Sequence, residues 1–163
     1  CYSEEGKGTT FKIYIPALEG IADIAESQIK DEQTMSGNEM ILLVDDEPGI
    51  RHLAKKLLNN AGYHVMQATN GQEALDIHAD ESRTIDLVIL DMNMPVMGGL
   101  ECLDHLQARA PDLPVLLASG FACSEESKKM MSDTVQYLNK PYHAKELLQK
   151  VRRMLDGCSE IAA

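Results

Sequence analysis

The feature that most restricts the fold is a repeated alternation of strand-like and helix-like segments after residue 40. Strand-like runs occur at residues 41–44, 63–68, 85–90, 115–118 and 135–138, and a helical pattern or helix signal follows each of them. A parallel strand that is buried on both faces has a nearly continuous apolar sequence, and strands that alternate with helices are typical of βα units. The sequence therefore predicts an α/β domain with a five-stranded parallel sheet and helices on both faces.

Apolar spacing and end signals predict the helices. Pro48 is suited to the first turn, and Gly62 ends the helix that begins there. Asn70 caps a second helix that continues to about Ala79. The expected inward-facing residues of the first helix are Ile50, Leu53, Ala54, Leu57, Leu58 and Ala61. Those of the helix after Gly98-Gly99 are Leu100, Leu103 and Leu106. A weaker helix is expected over 124–131 and a last one over 143–155.

Polar residues stand where four of the predicted strands end. Asp45 and Asp46 follow the first strand, Asp91 the third, Ser119 the fourth and Lys140 the fifth. The carboxyl ends of parallel strands share one edge, which is where open α/β sheets place their functional sites. An aspartate at a strand end is usually only a turn or cap residue, but chance does not readily place polar residues at all four ends. We therefore expect one site.

Three neighbouring carboxylates, those of Asp45, Asp46 and Asp91, repel one another unless a cation lies between them. Oxygen ligands favour Mg²⁺, and the backbone carbonyl of Asn93 is a further candidate ligand. No His or Cys adjoins the cluster, so a softer metal is not expected. Asp91 is the best candidate for a carboxylate nucleophile that forms an acyl phosphate, and Lys140 and Ser119 can bind phosphoryl oxygens.

Composition excludes several other functions. The formal net charge of −11 argues against nucleic-acid binding. No apolar run approaches the roughly 20 residues of a membrane span, so we expect no membrane contact. The chain begins at Cys1 and looks like a piece of a longer protein. The scattered Cys1, Cys102, Cys123 and Cys158 are expected to be free thiols in the reducing cytoplasm.

The ordered motifs resemble the receiver domains of two-component signalling. The matching segments are ILLVDDE at 41–47, DLVILDMNMPVMGG at 86–99, ASG at 118–120 and YLNKP at 137–141. The resemblance implies a flavodoxin-like, doubly wound (βα)5 fold with strand order 2-1-3-4-5. It also implies that Asp45 and Asp46 hold Mg²⁺, that Asp91 is phosphorylated, that Ser119 and Lys140 contact the phosphoryl group, and that the Lys140-Pro141 bond is cis.

The same resemblance implies a conformational switch and a class of partner. Ser119 would move toward the phosphoryl group, Tyr137 would turn inward behind it, and the face of the fourth and fifth helices would change. That face is also a candidate homodimer surface. The partner would be a histidine kinase dimerisation domain or a histidine phosphotransfer protein. The domain itself would catalyse only the phosphorylation and dephosphorylation of its own aspartate.

A second resemblance concerns the first 16 residues. The segment GKGTTFKIYIP at 6–16 is similar to the end of a histidine-kinase ATP-binding domain, where a glycine-rich turn precedes the closing strand. We therefore expect a kinase tail at 1–16, a linker at 17–38 with a candidate short helix, a receiver at 39–156 and a tail at 157–163. This organisation implies a hybrid sensor histidine kinase. Any membrane anchor of that kinase would lie in segments outside this sequence.

Two other interpretations compete with a working receiver. A phosphohydrolase of the haloacid dehalogenase type also uses an aspartate nucleophile, Mg²⁺ and a lysine. Asn93 stands where that class has its general acid-base aspartate, which argues against it. A degenerate receiver that serves only for protein interaction is the other alternative. The complete set of Asp45, Asp46, Asp91, Ser119 and Lys140 argues against this second alternative.

Overall fold

The structure is a computed structural model that describes residues 2–4, 6, 8–10, 12, 35–80, 82, 84–120 and 131–159. It divides into two units, Cys1–Asp31 and Glu32–Ala163. In the first unit, strands β1 (Tyr2–Glu4) and β2 (Gly8–Thr10) form an antiparallel hairpin. Gly6 and Gly8 have φ of 76° and 92°, values that glycine adopts readily. The predicted glycine-rich turn is therefore present, whereas most of the predicted strand after Thr10 lies outside the described residues.

The second unit contains the predicted five-stranded parallel sheet. Its strands are β3 (Met40–Val44), β4 (His64–Ala68), β5 (Leu87–Asp91), β6 (Val115–Ser119) and β7 (Val135–Asn139). They lie in the order β4-β3-β5-β6-β7, and every neighbouring pair is parallel. Numbered within this unit, the order is 2-1-3-4-5, which confirms the predicted fold class.

Helices cover both faces of this sheet: α1 (Pro48–Asn60), α2 (Gly71–His78), α3 (Gly99–Arg109) and α4 (Ala144–Ser159). One buried cluster joins the sheet to α2 and α3, and the other joins it to α1 and α4. Burial of a Leu or Ile side chain stabilises the fold by about 1.5–3 kcal/mol. The continuous apolar strands are therefore explained by a core on each side of the sheet. The predicted helix at 124–131 lies, except for Met131, outside the described residues.

The predicted helix end signals are confirmed. Pro48 is in the first turn of α1, and Gly62, with φ of 96°, lies just beyond its end. The Asn70 side chain accepts a hydrogen bond from the backbone N–H of Glu73 at 3.0 Å and caps α2. The Glu73 carboxylate in turn accepts the backbone N–H of Thr69, the residue before the cap, at 2.7 Å. Helix α4 continues to Ser159, four residues beyond the predicted end at Leu155.

Two apolar residues were wrongly predicted to face inward. Leu53 is 59% exposed and Leu100 is 38% exposed. In α1 the buried residues are Ala54 and Leu58. In α3 a strict three-residue spacing drifts around the helix, because each turn takes 3.6 residues, and Cys102 occupies the inward position instead of Leu100.

The segment before β3 belongs to the second unit and packs against the rest of it. Met35 is 7% exposed, and its carbonyl accepts a hydrogen bond from the Tyr63 hydroxyl at 3.0 Å. The backbone N–H of Gly37 donates to the Ala61 carbonyl at 3.1 Å. Arg152 pairs with Glu39 at 2.8 Å. The last residues of the segment predicted to be a linker are thus held at the amino-terminal ends of the strands.

Candidate phosphoacceptor and cation site

The carboxyl ends of the strands bring the predicted polar residues to one edge. Asp45 directly follows β3, Asp91 ends β5, Ser119 ends β6 and Lys140 directly follows β7. The backbone N–H of Lys140 donates to the Ser119 carbonyl at 2.6 Å, which joins the last two of these ends. The Lys140-Pro141 peptide bond is cis, as the sequence resemblance implied.

The three aspartates form one carboxylate cluster. Asp45, Asp46 and Asp91 each offer an oxygen, and these oxygens lie within 4.8 Å of one another. Asp45 and Asp91 are 3% and 7% exposed, whereas Asp46 is open to solvent. Oxygen ligands from two buried carboxylates and one exposed carboxylate fit a hard cation that keeps several waters, such as Mg²⁺.

Lys140 bridges the two buried carboxylates. Its Nζ lies 2.7 Å from Asp45 Oδ2 and 2.9 Å from Asp91 Oδ2. Burial disfavours the lysine charge, but hydrogen bonds and attraction from both carboxylates outweigh this effect and raise the pKa of Lys140 above its ordinary value. The ammonium group is therefore charged at neutral pH, and it offsets part of the repulsion within the cluster.

The backbone and side chain of Asp45 are held on several sides. Asp45 Oδ1 accepts the backbone N–H of Glu47 at 2.8 Å, and the backbone N–H of Asp45 donates to the Ala68 carbonyl at 3.2 Å. Its own carbonyl accepts a hydrogen bond from Arg51 Nη1 at 2.6 Å. The sequence analysis missed Arg51. Its place in the first turn of the helix that follows the two aspartates is the signal that could have identified it.

Asp91 lies where a loop approaches it closely. The backbone N–H of Asn93 points toward Asp91 Oδ1 at 3.4 Å. A Cβ on Gly99 would lie 2.3 Å from the Asp91 carbonyl oxygen, so a residue without a side chain is required there. Val96, in the same loop, is 85% exposed and has φ of 70°.

Ser119 and Tyr137 lie on neighbouring strands. Ser119 is buried at the end of β6, and Tyr137 in β7 is 6% exposed within the cluster beneath α2 and α3. The Tyr137 hydroxyl is buried and has no hydrogen-bond partner among the described residues. A buried hydroxyl without a partner costs free energy, so this hydroxyl gains from any rearrangement that offers it one.

A family model for the response regulator receiver domain matches residues 41–152, which is most of the chain. This chain belongs to that family. The receiver resemblance inferred from the sequence is confirmed, and the chain is a phosphoacceptor-type domain of two-component signalling. Receiver domains bind Mg²⁺ in an acidic pocket and act with histidine kinases or phosphotransfer proteins.

Curated relatives include parts of sensor kinases and a small single protein. The chain is 36% identical to the Sensor kinase CckA of Brucella abortus over 164 residues, covering 96% of the chain and 17% of that protein. It is 39% identical to the Sensor protein EvgS of Escherichia coli K12, covering 80% of the chain and 11% of that protein. It is 36% identical to Sporulation initiation phosphotransferase F of Bacillus subtilis, covering 72% of the chain and 94% of that protein. The receiver thus spans only a small part of the two sensor proteins.

Solved structures agree with the fold. The receiver domain of the hybrid histidine kinase CckA is 35% identical with a TM-score of 0.60, covering 71% of this chain and 98% of that one. The response regulator TrrA of Thermotoga maritima, solved with Mg²⁺ and BeF, is 36% identical with a TM-score of 0.62, covering 71% of this chain and 98% of that one. Within the described part of the receiver chain, none of the helices has the length and hydropathy to cross a membrane.

Proposed function

We propose that Asp91 of this receiver accepts a phosphoryl group from a phosphohistidine. The observation that carries the proposal is the bridge of Lys140 Nζ between Asp45 and Asp91, at 2.7 and 2.9 Å, beside the exposed Asp46. Lysine and carboxylates brought together from sequence-distant strands are the elements that phosphoryl transfer requires.

In the proposed reaction a carboxylate oxygen of Asp91 forms the new P–O bond. The P–N bond of the phosphohistidine breaks, and its electron pair remains on the imidazole nitrogen. Lys140, which already contacts Asp91, turns its charge to a phosphoryl oxygen, and the Ser119 hydroxyl donates to another. Hydrolysis of the acyl phosphate returns the carboxylate, so the domain catalyses the phosphorylation and dephosphorylation of its own aspartate.

Asp45, Asp46, Asp91 and the backbone carbonyl of Asn93 are the residues that we propose to hold Mg²⁺. When bound, this ion supplies positive charge to the phosphoryl oxygens and aligns them with the nucleophile. The three clustered carboxylates support this donor set, because Mg²⁺ prefers oxygen ligands. Ser119 and Tyr137 are the proposed switch pair, supported by the buried hydroxyl of Tyr137, which has no hydrogen-bond partner in the described part of the chain.

The decisive test is intact-mass analysis after incubation with acetyl phosphate, with and without Mg²⁺. The wild type is expected to gain one phosphoryl group only with Mg²⁺, Asp91→Asn none, and Asp104→Asn, which removes an exposed carboxylate from α3, the same as wild type. An adduct on Asp91→Asn at the wild-type rate would refute the assignment. If the wild type gives no adduct and no BeF₃⁻ complex, the domain serves only for interaction.

We further propose that the phosphohistidine partner docks beside Lys140. A cleft of about 570 Å³ lies between α1 and the loop after β7, and its lining includes Leu53, Leu57, Lys140 and Pro141. Leu53 is 59% exposed there although it is apolar. The apolar side of the cleft is continuous with Lys140, which contacts the nucleophile Asp91. A partner helix that carries the phosphohistidine could therefore pack on this apolar surface and bring its phosphoryl group to Asp91.

The docking proposal predicts different effects on two phosphoryl donors, because only the protein donor would contact the cleft. Leu53→Glu is expected to slow phosphotransfer from a phosphorylated histidine domain at least tenfold, and to leave the reaction with acetyl phosphate unchanged. Leu53→Ala should have an intermediate effect. Equal effects on both donors would refute docking at this cleft.

We also propose that the receiver belongs to a hybrid sensor histidine kinase, with residues 1–16 as the kinase tail and 17–38 as the linker. The match to the Brucella kinase covers 96% of the chain, more than residues 41–163 alone could supply. The hairpin of β1 and β2 is consistent with the end of a catalytic sheet. In the full-length protein, phosphate should pass from the kinase histidine to Asp91. Retention of all phosphate on histidine would refute this placement.

A further inference from the structure

Arg51 reaches back across the loop that carries two of the proposed cation ligands. It lies in the first turn of α1, where its backbone N–H donates to the Glu47 carbonyl at 3.0 Å. Its side chain turns toward the sheet, and Nη1 donates to the carbonyl oxygen of Asp45 at 2.6 Å. The guanidinium group therefore closes the loop that contains Asp45 and Asp46.

The contact to Asp45 uses backbone and leaves the carboxylate available. Lys140 occupies Asp45 Oδ2, so that contact has to be shared or lost when a cation binds the carboxylate. The hydrogen bond from Arg51 ends on the carbonyl instead and can persist in both states. Asp45 thus has one partner that competes with a cation and another, Arg51, that does not.

The positive charge of Arg51 also acts on the carboxylate at the start of α2. The pKa of Glu73 is lowered by hydrogen bonds from Thr69, and the charge of Arg51 makes a smaller contribution in the same direction. A planar, permanently charged group with several donors is suited to fixing the backbone carbonyl of Asp45.

We propose that Arg51 is a positioning residue for the cation site, which it serves by fixing the backbone of Asp45. The inference rests on the proposed function, since it assumes that Asp45 and Asp46 bind Mg²⁺. Partners that orient metal ligands typically change metal affinity by 10- to 100-fold when they are removed.

A positioning role and a purely electrostatic role predict opposite effects. Removal of a positive charge near an acidic cluster should strengthen cation binding, because the repulsion decreases. Loss of the hydrogen bond to the Asp45 carbonyl should weaken it, because the loop no longer holds the carboxylate in place. Lys56, an exposed residue on the same helix, provides a control with the same change of charge.

The test is Mg²⁺ titration of the full chain, followed by amide chemical shifts, on wild type, Arg51→Met, Arg51→Lys and Lys56→Met. The dispersion of the amide signals reports whether each variant is folded. We expect Arg51→Met to raise the Kd for Mg²⁺ about tenfold, Arg51→Lys to recover part of this loss, and Lys56→Met to change it less than twofold.

The phosphorylation rate with acetyl phosphate gives the second measurement. If Arg51 acts only through the cation site, saturating Mg²⁺ should restore the rate of Arg51→Met toward wild type. Provided that the wild type forms the adduct, two results would overturn the inference and leave the proposed function intact. One is a rate of Arg51→Met that stays low at saturating Mg²⁺, and the other is a Kd of Arg51→Met equal to that of wild type. A wild type that neither binds Mg²⁺ nor forms an adduct would overturn both.

Discussion

Val96 allows the cost of an unfavourable backbone conformation beside the site to be measured. Its φ is 70°, and the backbone N–H of Met97 donates to the Pro95 carbonyl at 2.8 Å, so Val96 is the central residue of a γ-turn with positive φ. A γ-turn with positive φ is strained, a sparsely populated backbone conformation costs about 1–3 kcal/mol, and a β-branched side chain is especially unsuited to positive φ. Val96→Asn should relieve part of this strain, because asparagine tolerates positive φ.

The gain can be worked from the exposure of the side chain. Val96 is 85% exposed, so the substitution forfeits only a small part of the roughly 1.5–3 kcal/mol that full burial of a valine contributes. We therefore expect Val96→Asn to raise the free energy of unfolding by about 1 kcal/mol. With an m-value of about 1–2 kcal/mol per molar urea, the midpoint should rise by about 0.5–1 M.

The assay is urea denaturation followed by far-UV circular dichroism, since the chain has no tryptophan. Val96→Thr is the matched control, because threonine adds polarity but keeps the β-branch, and it should remain close to wild type. The reasoning is refuted if Val96→Asn is no more stable than wild type. Equal stabilisation by Val96→Thr would attribute the gain to polarity rather than to φ.

Three further predictions concern the site and the core. In urea denaturation, Gly99→Ser should destabilise the fold by about 2 kcal/mol or more, because its Cβ would meet the Asp91 carbonyl at 2.3 Å. The control Gly98→Ser has its nearest contact at 3.5 Å and occupies a helix-cap position, so it should be neutral or slightly stabilising. Similar losses at both positions would contradict this prediction. Burial raises the pKa of the Cys102 thiol to about 11, so peptide mapping should find it unalkylated by iodoacetamide at pH 8 and labelled only in urea, and equal labelling in both would be contrary evidence. Lys140→Met should tighten Mg²⁺ binding at least about tenfold, because a competing charge is lost, while slowing the acetyl phosphate reaction; weaker Mg²⁺ binding would show that the lysine does not compete with the cation.

Much of the fold followed from the sequence because buried parallel strands have an unmistakable pattern. The rule that parallel strands end at one edge predicted that Asp45 and Asp91 lie together, and the receiver resemblance implied that their strands are neighbours. The same rule placed Lys140 at the edge that carries Asp45, 95 positions away in sequence, and the structure brings the two side chains to 2.7 Å. The roles assigned to these residues remain proposals.

The errors came from questions that local sequence does not answer. Periodicity identifies an apolar stripe, but not which of its members a neighbour covers, and so Leu53 and Leu100 were placed inside. The direction of a long side chain is not encoded by its spacing, and so the contact of Arg51 with the Asp45 carbonyl was missed. The packing of Met35 depends on Tyr63, which is distant in sequence, and no composition signal marks it.

The packed segment before β3 sets a geometric condition on phosphate delivery. Residues 35–39 are held by a hydrogen bond and an ion pair at the amino-terminal ends of the strands, while Asp91 lies at the carboxyl ends. A strand of five residues is about 17 Å long at roughly 3.3 Å per residue. In the proposed hybrid kinase, a histidine donor that precedes Met35 on the same polypeptide would therefore have to reach around the length of the sheet. A donor on a second molecule is not subject to this constraint. If the segment between the donor domain and residue 35 is short, the packing of residues 35–39 therefore favours phosphoryl transfer between molecules.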